Sequence, residues 1–407
     1  MGVPQIGMVG AVKALLLENI HSEATRILTQ RGYDVENRAG ALTDGDLVSA
    51  LQGVSYLGIR SRTQITREVL EAAPDLKAVG AFCIGTNQID LDAATDAGVA
   101  VFNAPYSNTR SVVELAIAEI ISMARHLTDL NKDVHEGRWD KSAAGSHEIR
   151  GRTLGIVGYG NIGSQLSVVA ESLGMRVYYY DIVDRLPLGN ARGVGSMEEL
   201  FELSETVSLH VDGRPGNANL IGEKEFAAMR PRTLFLNLCR GNVVDHDALH
   251  ANLVKGHLAG AAIDVYPQEP KAKGEPLVSK LQGLRNVILT PHVGGSTEEA
   301  QVDIGRYVAG KLADYETNGA TSMCVNLPEV PAPSPLDHRI VHLHHNVPGV
   351  MARLNNLLAT HNMNIRSQTL STRGQLGYAV TDVTGIAPAD LLVELEALDE
   401  TVRVRML

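Results

Sequence analysis

The sequence predicts an α/β protein made of two doubly wound parallel-sheet lobes and a small C-terminal α/β domain. Short apolar runs alternate with helical patterns over about the first hundred residues, and again from Thr153 to about residue 290. Such alternation predicts parallel strands covered by helices on both faces of a sheet. The segment Leu327–Pro335 carries four prolines and predicts a semi-rigid linker before the last domain.

The first lobe is predicted from apolar strands at Lys13–Leu17, Tyr56–Ile59, Ala78–Phe82 and Val99–Asn103, with a helix at His21–Arg31. Ser111 and Glu114 have the spacing of a capping box and precede the apolar stretch Leu115–Met123, so a long helix is predicted to begin there. Residues 296–325 return to a helical pattern. They are predicted to cross back and complete the first lobe, which makes that lobe discontinuous.

The second lobe and the C-terminal domain follow from the same kind of pattern. Strands of a second sheet are predicted at Thr153–Val157, Arg176–Tyr180, Thr206–His210, Thr233–Asn237, Gly260–Val265 and Val287–Thr290. Beyond the linker, strands are predicted at Arg339–His344, Asn364–Thr372, Tyr378–Thr384 and Val402–Met406, and helices at Gly349–Thr360 and Pro388–Ala397. The resulting order, β-α-β-β-α-β, is the split ferredoxin-like motif.

Bulk composition narrows the class of protein. A chain of 407 residues is too long for one ordinary core, which favours two or three domains. The net charge of −11 argues against nucleic acid as a partner, and no apolar run approaches the ~20 residues needed to cross a membrane. Three widely spaced cysteines favour neither a disulfide framework nor a metal site, so we expect a cytoplasmic protein without a bound metal. Anionic ligands would need a local cluster of arginines.

The first candidate site is the glycine-rich turn at residues 158–163, Gly-Tyr-Gly-Asn-Ile-Gly. It follows an apolar run and opens a helical pattern, and the next predicted strand ends in Asp181. Gly158 permits a tight turn, Gly160 lets a pyrophosphate approach the backbone, and Gly163 lets the helix pack on the strand. Asp181 suits the ribose hydroxyls of adenosine and would repel a 2′-phosphate. This context predicts a Rossmann domain that binds NAD rather than NADP, with a plain surface turn as the alternative.

Three segments that follow predicted strands of the second lobe carry residues suited to hydride transfer. Ligands of open α/β sheets bind at the carboxyl ends of the strands, where Arg240, Glu269 and His292 lie. A histidine can exchange a hydroxyl proton near neutral pH, and an arginine can bind a carboxylate through two hydrogen bonds. Taken singly, each has an ordinary explanation, as a solvated arginine, a turn glutamate or a structural histidine. Their joint placement favours a dehydrogenase.

These motifs resemble the D-isomer-specific 2-hydroxyacid dehydrogenases, in the strings Gly-Tyr-Gly-Asn-Ile-Gly, Asn-Leu-Cys-Arg-Gly, Ile-Asp-Val-Tyr-Pro-Gln-Glu-Pro and Leu-Thr-Pro-His-Val-Gly-Gly-Ser. The resemblance implies that His292 is the proton donor or acceptor, that Glu269 raises its pKa, and that Arg240 binds the carboxylate and polarises the keto oxygen. It implies a Rossmann NAD domain inserted in a flavodoxin-like substrate domain. Contacts to NAD are implied for Gly158, Gly160, Asn161, Ile162, Gly163, Asp181, Leu238, Cys239, Arg240, Asp264, His292, Gly294, Gly295 and Ser296.

The first lobe narrows the substrate. The strings at residues 59–63, 82–90 and 103–111 closely resemble the branch of this family that carries a C-terminal ACT domain and oxidises 3-phospho-D-glycerate, the first step of serine synthesis. Two arginines that flank a serine suit a phosphate, and they supply part of the local cluster that anionic ligands need. The resemblance implies a homotetramer, and it implies substrate contacts by Arg60 and Arg62 (the phosphate), Ser61, Asn108 and, from a neighbouring subunit, Lys141.

The last domain resembles the serine-binding ACT domains of the same branch, in the strings at residues 342–350 and 361–365. The resemblance implies that His344, Asn346 and Asn364 contact L-serine as an effector, although they also suit ordinary polar loop positions. The predicted domains are therefore a substrate domain (1–107 and 296–330), an NAD domain (108–295) and a regulatory ACT domain (338–407).

Two other functions remain open at this point. The first is another D-2-hydroxyacid dehydrogenase, including one that reduces 2-oxoglutarate, because a second anionic group also suits Arg60 and Arg62. The second is a non-enzymatic NAD-sensing corepressor of the same fold, since such proteins can keep the arginine–glutamate–histidine trio. The ACT domain and the two-arginine string favour a metabolic enzyme.

Overall fold

The computed structural model describes residues 12–270, 274–331, 338–385 and 389–407. The chain forms two compact units, one of residues up to 107 together with 301–407, and the other of residues 108–300. The second unit is therefore an insertion in the first. Residues 338–407 belong to the first unit, and the division into three domains stays a prediction.

The first unit contains a sheet of parallel strands in the order β2-β1-β3-β4-β5, which is the flavodoxin-like order. The strands are β1 (Lys13–Leu16), β2 (Asp34–Asn37), β3 (Tyr56–Ile59), β4 (Ala78–Ala81) and β5 (Ala100–Phe102). The helices are α1 (Ser22–Gln30), α2 (Asp44–Ala50), α3 (Arg67–Glu71), α4 (Leu91–Asp96) and, after the insertion, α11 (Glu298–Asn318). The predicted strands are confirmed to within two residues at each end. Strand β2 was not predicted because its sequence is polar and its position is the edge of the sheet.

The second unit contains a sheet of seven parallel strands in the order β12-β11-β10-β9-β6-β7-β8. The strands are β6 (Thr153–Val157), β7 (Arg176–Tyr180), β8 (Arg192–Gly193), β9 (Thr206–Leu209), β10 (Thr233–Asn237), β11 (Leu258–Ile263) and β12 (Val287–Leu289). The helices are α5 (Thr109–Ala124), α6 (Leu127–His135), α7 (Asn161–Ser172), α8 (Met197–Leu203), α9 (Glu223–Ala228) and α10 (His246–Val254). The strand order reverses between β6 and β9, which is the Rossmann switch point and the expected place for a dinucleotide.

The predicted start of helix α5 is wrong in its cap. The helix begins at Thr109 with Asn108 as its N-cap, so Ser111 lies inside the first turn. The Ser111 hydroxyl pairs with that of Thr297 at 2.9 Å, and Glu114 instead accepts a hydrogen bond from Arg110. The serine–glutamate spacing is present, but a tertiary partner takes the serine away from the capping role.

Residues 338–407 form a sheet of antiparallel strands in the order β14-β15-β13-β16, covered by two helices. The strands are β13 (His338–His345), β14 (Asn364–Arg373), β15 (Leu376–Thr384) and β16 (Thr401–Met406), and the helices are α12 (Val350–Thr360) and α13 (Ala389–Glu396). The predicted β-α-β-β-α-β order is confirmed. Pro388, at the predicted start of the last helix, lies outside the described residues.

The C-terminal sheet shares a core with the five-stranded sheet of the first unit. Val341 and Tyr378 pack in one cluster with Phe102 and Tyr315, whereas alternate residues such as Ile340 face the helices α12 and α13. Arg405 donates to the Glu316 carboxylate at 3.2 Å, and its guanidinium lies 4.0 Å from the Tyr315 ring. Apolar burial and these charged contacts together fix the domain to the first unit.

The predicted linker is wrong over its first residues. Leu327 and Val330 are each 1% exposed and belong to the same core cluster. Thr321 holds this stretch, because its hydroxyl donates to the Pro328 carbonyl at 2.7 Å and accepts from the Val330 amide at 2.8 Å. The rest of the predicted linker, residues 332–335, lies outside the described residues. Proline content alone therefore gives the start of a linker poorly when apolar residues stand between the prolines.

Two further properties concern membranes and cysteines. Across the described ranges, no helix combines the length and the apolar character that crossing a membrane requires. Cys83, Cys239 and Cys324, which all lie in the described ranges, form no disulfide bond.

Candidate active site

The glycine turn connects strand β6 to helix α7, and the first and last of its three glycines are required by their surroundings. Gly158 has a φ of +92°, and a Cβ there would lie 2.4 Å from the carbonyl oxygen of His210 at the end of β9. A Cβ at Gly163 would lie 2.2 Å from the Gly158 carbonyl oxygen. Gly160 caps the helix and meets nothing within 4 Å. The turn is therefore tight on the protein side and open at Gly160, where a pyrophosphate needs room.

Asp181 lies directly after β7, and backbone donors fix its carboxylate. Its Oδ2 accepts the Tyr159 amide at 2.8 Å, and its Oδ1 accepts the Val183 amide at 2.9 Å. The first turn of α7 presents unpaired backbone N–H groups and the positive end of the helix dipole to the same edge of the sheet. An anion site and an acceptor for ribose hydroxyls at one switch point fit NAD, and a 2′-phosphate would meet the charge of Asp181.

His292 and Glu269 form the most direct chemical pair in the second unit. Nδ1 of His292 lies 2.9 Å from Oε2 of Glu269, and the His292 side chain is half exposed. The hydrogen bond that His292 donates to Glu269 raises the pKa of His292, although partial burial and the charge of Arg240 oppose the shift. Burial, the largest single influence, acts to raise the pKa of Glu269, but its hydrogen bond with His292, the Tyr266 amide and the charges of His292 and Arg240 together lower that pKa. The pair is thus a proton-carrying imidazole beside a fixed carboxylate.

Asp264 fixes the loop that carries His292. Its Oδ1 accepts the Val293 amide and its Oδ2 accepts the Gly294 amide, both at 2.8 Å, and its carbonyl accepts the His292 amide at 2.8 Å. His292 itself has a φ of +55°, in the left-handed region that costs energy for a residue with a Cβ. The buried Asp264 carboxylate therefore holds the His292 loop in a conformation that a residue with a Cβ disfavours.

Arg240 follows β10 and reaches the same edge of the sheet. Gly241, the next residue, lies against the segment 266–267, which continues to Glu269. A Cβ at Gly241 would lie 2.0 Å from the Tyr266 carbonyl. The Arg240 guanidinium donates to the Cys239 carbonyl at 2.6 Å. Its charge lowers the pKa of both His292 and Glu269, so the three predicted catalytic side chains are within electrostatic range of one another.

The remaining predicted NAD contacts line this edge as well. Leu238 and Cys239 are buried after β10, and burial raises the pKa of the Cys239 thiol, which argues for a protonated structural cysteine. Gly295 lies so close to Asn108 that a Cβ would meet its amide nitrogen at 2.0 Å. The Oδ1 atom of Asn108 is buried and has no hydrogen-bond partner among the described residues, so it is an acceptor available to a ligand.

Other predicted site residues lie elsewhere. Arg60, Ser61 and Arg62 form a loop after β3 in the first unit, and the side chains of Ser61 and Arg62 are exposed. Lys141 lies 6.0 Å from the ring of Trp139, on a stretch of the second unit where residues 136–145 are all exposed. The contacts of Arg60, Ser61, Arg62 and Lys141 with the substrate stay predictions.

The predicted effector residues lie on the C-terminal sheet. His344, on β13, is fully buried, and its Nε2 has no partner within the described part of the chain. Its ring is 5.1 Å from that of His342, whose pKa burial lowers to about 4. Asn346 and Asn364 are exposed. The histidine and the asparagines therefore differ sharply in their access to solvent.

Glu119, a carboxyl group buried in the second unit, was not among the predicted site residues. It is 3% exposed on α5, and both of its oxygens lack a hydrogen-bond partner within the described ranges. Burial, with the charge of Asp264 added, raises its pKa to about 8. Glu119 is consequently protonated at neutral pH. A glutamate within the apolar run of α5 was the available signal.

Comparison with protein families gives the class that this fold and site define. Residues 117–294 match the family described as the D-isomer specific 2-hydroxyacid dehydrogenase, NAD binding domain. Residues 340–403 match the AHAS small subunit-like ACT domain. A Rossmann sheet that ends in a paired histidine and glutamate beside an arginine is therefore the NAD-binding domain of a dehydrogenase, and NAD is its cofactor.

Individual relatives give the branch. The chain is 49% identical to D-3-phosphoglycerate dehydrogenase of Haemophilus influenzae and 48% identical to that of Escherichia coli, each over 97% of both chains. The solved structure of D-2-hydroxyisocaproate dehydrogenase superposes with a TM-score of 0.70 at 26% identity, covering 77% of this chain and all of that one. The chain belongs to the D-3-phosphoglycerate dehydrogenase family.

Proposed function

We propose that the chain oxidises 3-phospho-D-glycerate to 3-phosphohydroxypyruvate with NAD, as the first step of serine synthesis. The hydrogen bond between His292 and Glu269, within electrostatic range of Arg240, carries this proposal. Near-complete alignment with relatives named for this activity supports the choice of substrate. The two arginines at positions 60 and 62 supply the charge that a phosphate needs.

The second unit supplies the proton chemistry. NAD, when bound, accepts the hydride from the substrate carbon. His292 takes the hydroxyl proton during oxidation and returns it during reduction, and Glu269 stabilises the protonated imidazole between these events. Arg240 binds the substrate carboxylate through its guanidinium and draws charge from the keto oxygen. Asn108 offers its unpartnered Oδ1 to a hydroxyl of the substrate.

The phosphate of the substrate is assigned to residues of the first unit. Arg60 and Arg62 each present a planar cation that can bond two phosphate oxygens, and Ser61 between them adds a hydroxyl. Lys141 adds a further positive charge to the active site of a neighbouring subunit in a homotetramer. Its exposed segment and the exposed Trp139, at 76%, support a contact between subunits.

The C-terminal domain is assigned to feedback control by L-serine. An ACT domain favours a small-molecule effector, and a serine zwitterion needs both donors and acceptors, which Asn346 and Asn364 supply. The unpartnered Nε2 of His344 gives a third polar group on the same domain. A cytoplasmic location is part of the proposal, since the substrate and NAD are water-soluble small molecules.

A reduction assay tests the proposal. Purified protein is mixed with 3-phosphohydroxypyruvate and NADH, and the loss of NADH absorbance is followed with and without serine at millimolar concentration. We expect turnover with NADH, much slower turnover with NADPH, and inhibition by serine. Absence of turnover would refute the enzymatic proposal and favour a corepressor, while turnover that serine leaves unchanged would remove only the feedback assignment.

A further inference from the structure

The loop that carries Arg60 and Arg62 is built in an unusual way. It follows β3, its side chains at positions 61 and 62 are exposed, and Thr63 is buried at its end. An exposed loop of this composition is ordinarily mobile, because its backbone groups can exchange protein partners for water. Here the backbone on both sides of Ser61 is bonded to buried polar side chains from two other loops.

Glu18 holds the far side of this loop. Its side chain is 3% exposed, although it follows directly after the apolar strand β1, and its φ is +62°. The two carboxylate oxygens accept the backbone amides of Arg62 and Thr63, at 3.1 and 2.8 Å. The closest approach to the Arg62 guanidinium is through its inner nitrogen, Nε, at 3.7 Å. A single buried carboxylate therefore fixes the backbone of Arg62 and lies within ion-pair distance of its guanidinium.

Gln88 holds the near side. It is also 3% exposed, and its Nε2 donates to the Arg60 carbonyl at 2.6 Å and to the Gly85 carbonyl at 3.3 Å. The backbone carbonyl of Gln88 accepts the Ile65 amide at 2.8 Å, so the two loops are also paired beyond the turn. Arg60 is thereby fixed at its carbonyl, as Arg62 is fixed at its amide.

We propose that Glu18 and Gln88 are positioning residues that hold Arg60 and Arg62 at the separation required by a phosphate group. This inference rests on the proposed function, in which these two arginines bind the phosphate of the substrate. Two guanidiniums bind one phosphate tightly only when their bases are fixed, because otherwise binding must also order two long side chains. Glu18 and Gln88, together called the clamp below, supply that order before the substrate binds.

The charge of Glu18 supports a positioning role over a purely structural one. A buried carboxylate close to an anion site is costly for both folding and anion binding, and a neutral side chain could accept the same amides. The carboxylate does more, because it also attracts the Arg62 guanidinium at its Nε end. The outer nitrogens of that guanidinium form the fork that suits phosphate.

The experiment uses the full-length protein and compares two substrates, 3-phosphohydroxypyruvate and unphosphorylated hydroxypyruvate. The variants are Glu18→Gln, which removes the charge at constant size, and Gln88→Met, which removes the donor at similar volume. Glu18→Asp tests partial rescue by a carboxylate. Glu71→Gln, on the exposed side of α3, is the matched control for loss of one negative charge in the same unit.

We expect each clamp variant to raise KM for 3-phosphohydroxypyruvate by about tenfold or more, since a hydrogen bond to a charged group is at stake. The kcat and the KM for hydroxypyruvate change by less than about threefold, because the proton chemistry lies on the second unit. Hydrogen exchange of the peptide that spans residues 60–65 becomes faster in both variants. For Glu18→Asp, KM for 3-phosphohydroxypyruvate and the exchange rate lie between those of the wild type and of Glu18→Gln. Glu71→Gln has the wild-type values.

The outcomes separate this inference from the proposed function. If the wild type does not reduce 3-phosphohydroxypyruvate, the proposed function fails, and the phosphate role of the clamp fails with it. If the wild type is active but the variants lose both substrates equally, or lose neither, the clamp is a structural feature and the inference is wrong. Failure of both Glu18→Gln and Gln88→Met to give folded protein would also assign the clamp a purely structural role.

Discussion

Two loops of the molecule, one in each unit, are fixed by the same device and carry different chemistry. In the second unit, Asp264 accepts the amides of two consecutive residues just after His292. In the first unit, Glu18 likewise accepts two consecutive amides, those of Arg62 and Thr63. Both loops follow parallel strands, β12 and β3, at the carboxyl edge of their sheets, where such folds bind ligands.

The loops differ in the groups that they present. The functional side chain beside Asp264 is a histidine, and its hydrogen bond with Glu269 raises its pKa. The loop beside Glu18 presents arginines, which keep their charge at every physiological pH. A buried carboxylate thus fixes each loop, and we expect the exposed side chain beside it to determine whether the loop serves proton transfer or anion binding. Changes in the first loop should alter substrate affinity, and changes in the second should alter turnover and its pH dependence.

The largest effect is expected from His292→Ala. Loss of the proton-transferring group should lower kcat by about a thousandfold, in line with general acid–base catalysis. The dissociation constant for NADH, measured by fluorescence titration, should stay within about threefold, because the glycine turn and Asp181 are unchanged. A variant that keeps its turnover, or that loses NADH binding instead, would contradict the role assigned to His292.

Arg60→Ala should give the next largest effect, and on the other kinetic constant. We expect KM for 3-phosphohydroxypyruvate to rise by about ten- to a hundredfold, because a charge-assisted hydrogen bond to phosphate is lost. KM for hydroxypyruvate serves as the internal control and should change little. An equal rise for both substrates would show that Arg60 does not recognise the phosphate.

Glu269→Gln should shift the pH profile of turnover. The hydrogen bond with Glu269 raises the pKa of His292, and reduction needs the protonated imidazole. Reduction therefore falls as the pH rises through the raised pKa, and in the variant this fall should begin at lower pH. In the oxidation direction, activity should likewise begin its rise at lower pH. An unchanged profile would show that another group controls the titration.

Glu119→Gln should give the smallest effect, on stability rather than turnover. Burial and the charge of Asp264 raise the pKa of Glu119 to about 8. Above the ordinary pKa of glutamate the unfolded chain releases a proton that the folded protein keeps, so the free energy of unfolding falls as the pH rises towards 8. Thermal midpoints at pH 6 and pH 8 should differ less for Glu119→Gln than for the wild type. Glu114→Gln, at an exposed position on the same helix, is the control. An equal fall in thermal midpoint from pH 6 to pH 8 in the wild type and in both variants would refute the assignment of this pH dependence to Glu119.

Much of the fold could be predicted from the sequence, because most strands are short apolar runs buried on both faces. Strands β6, β7 and β10 are found at the predicted residues, and β9, β11 and β12 differ from the prediction by two residues or fewer at each end, whereas the two-residue edge strand β8 was not predicted. The edge strand β2 and the short helices α2 to α4 could not be predicted in the same way, since little of their surface is apolar. The capping box at Ser111 failed because a hydroxyl from a distant residue competes for the serine.

The site divides along the same physical line. Proximity of Glu269 and His292 follows from strand order, because the carboxyl ends of neighbouring parallel strands meet at one edge. Glu18 and Glu119 were not predicted as buried, since burial of a carboxyl group depends on partners, or on protonation, that only tertiary structure supplies. The packing of β13 on both of its faces had a partial signal in the run Ile340–Leu343, which has Val341 and Leu343 on one face and Ile340 beside His342 on the other.

We propose that the loop of His292 supplies the proton chemistry and that the loop of Arg60 and Arg62 supplies selectivity for a phosphate. Steady-state kinetics of the wild type with 3-phosphohydroxypyruvate and with hydroxypyruvate tests it most directly, at one pH and a saturating concentration of NADH. We expect kcat/KM for 3-phosphohydroxypyruvate to exceed kcat/KM for hydroxypyruvate by a factor of about a hundred or more, and the difference to lie chiefly in KM. A ratio near one, or a preference expressed only in kcat, would contradict it.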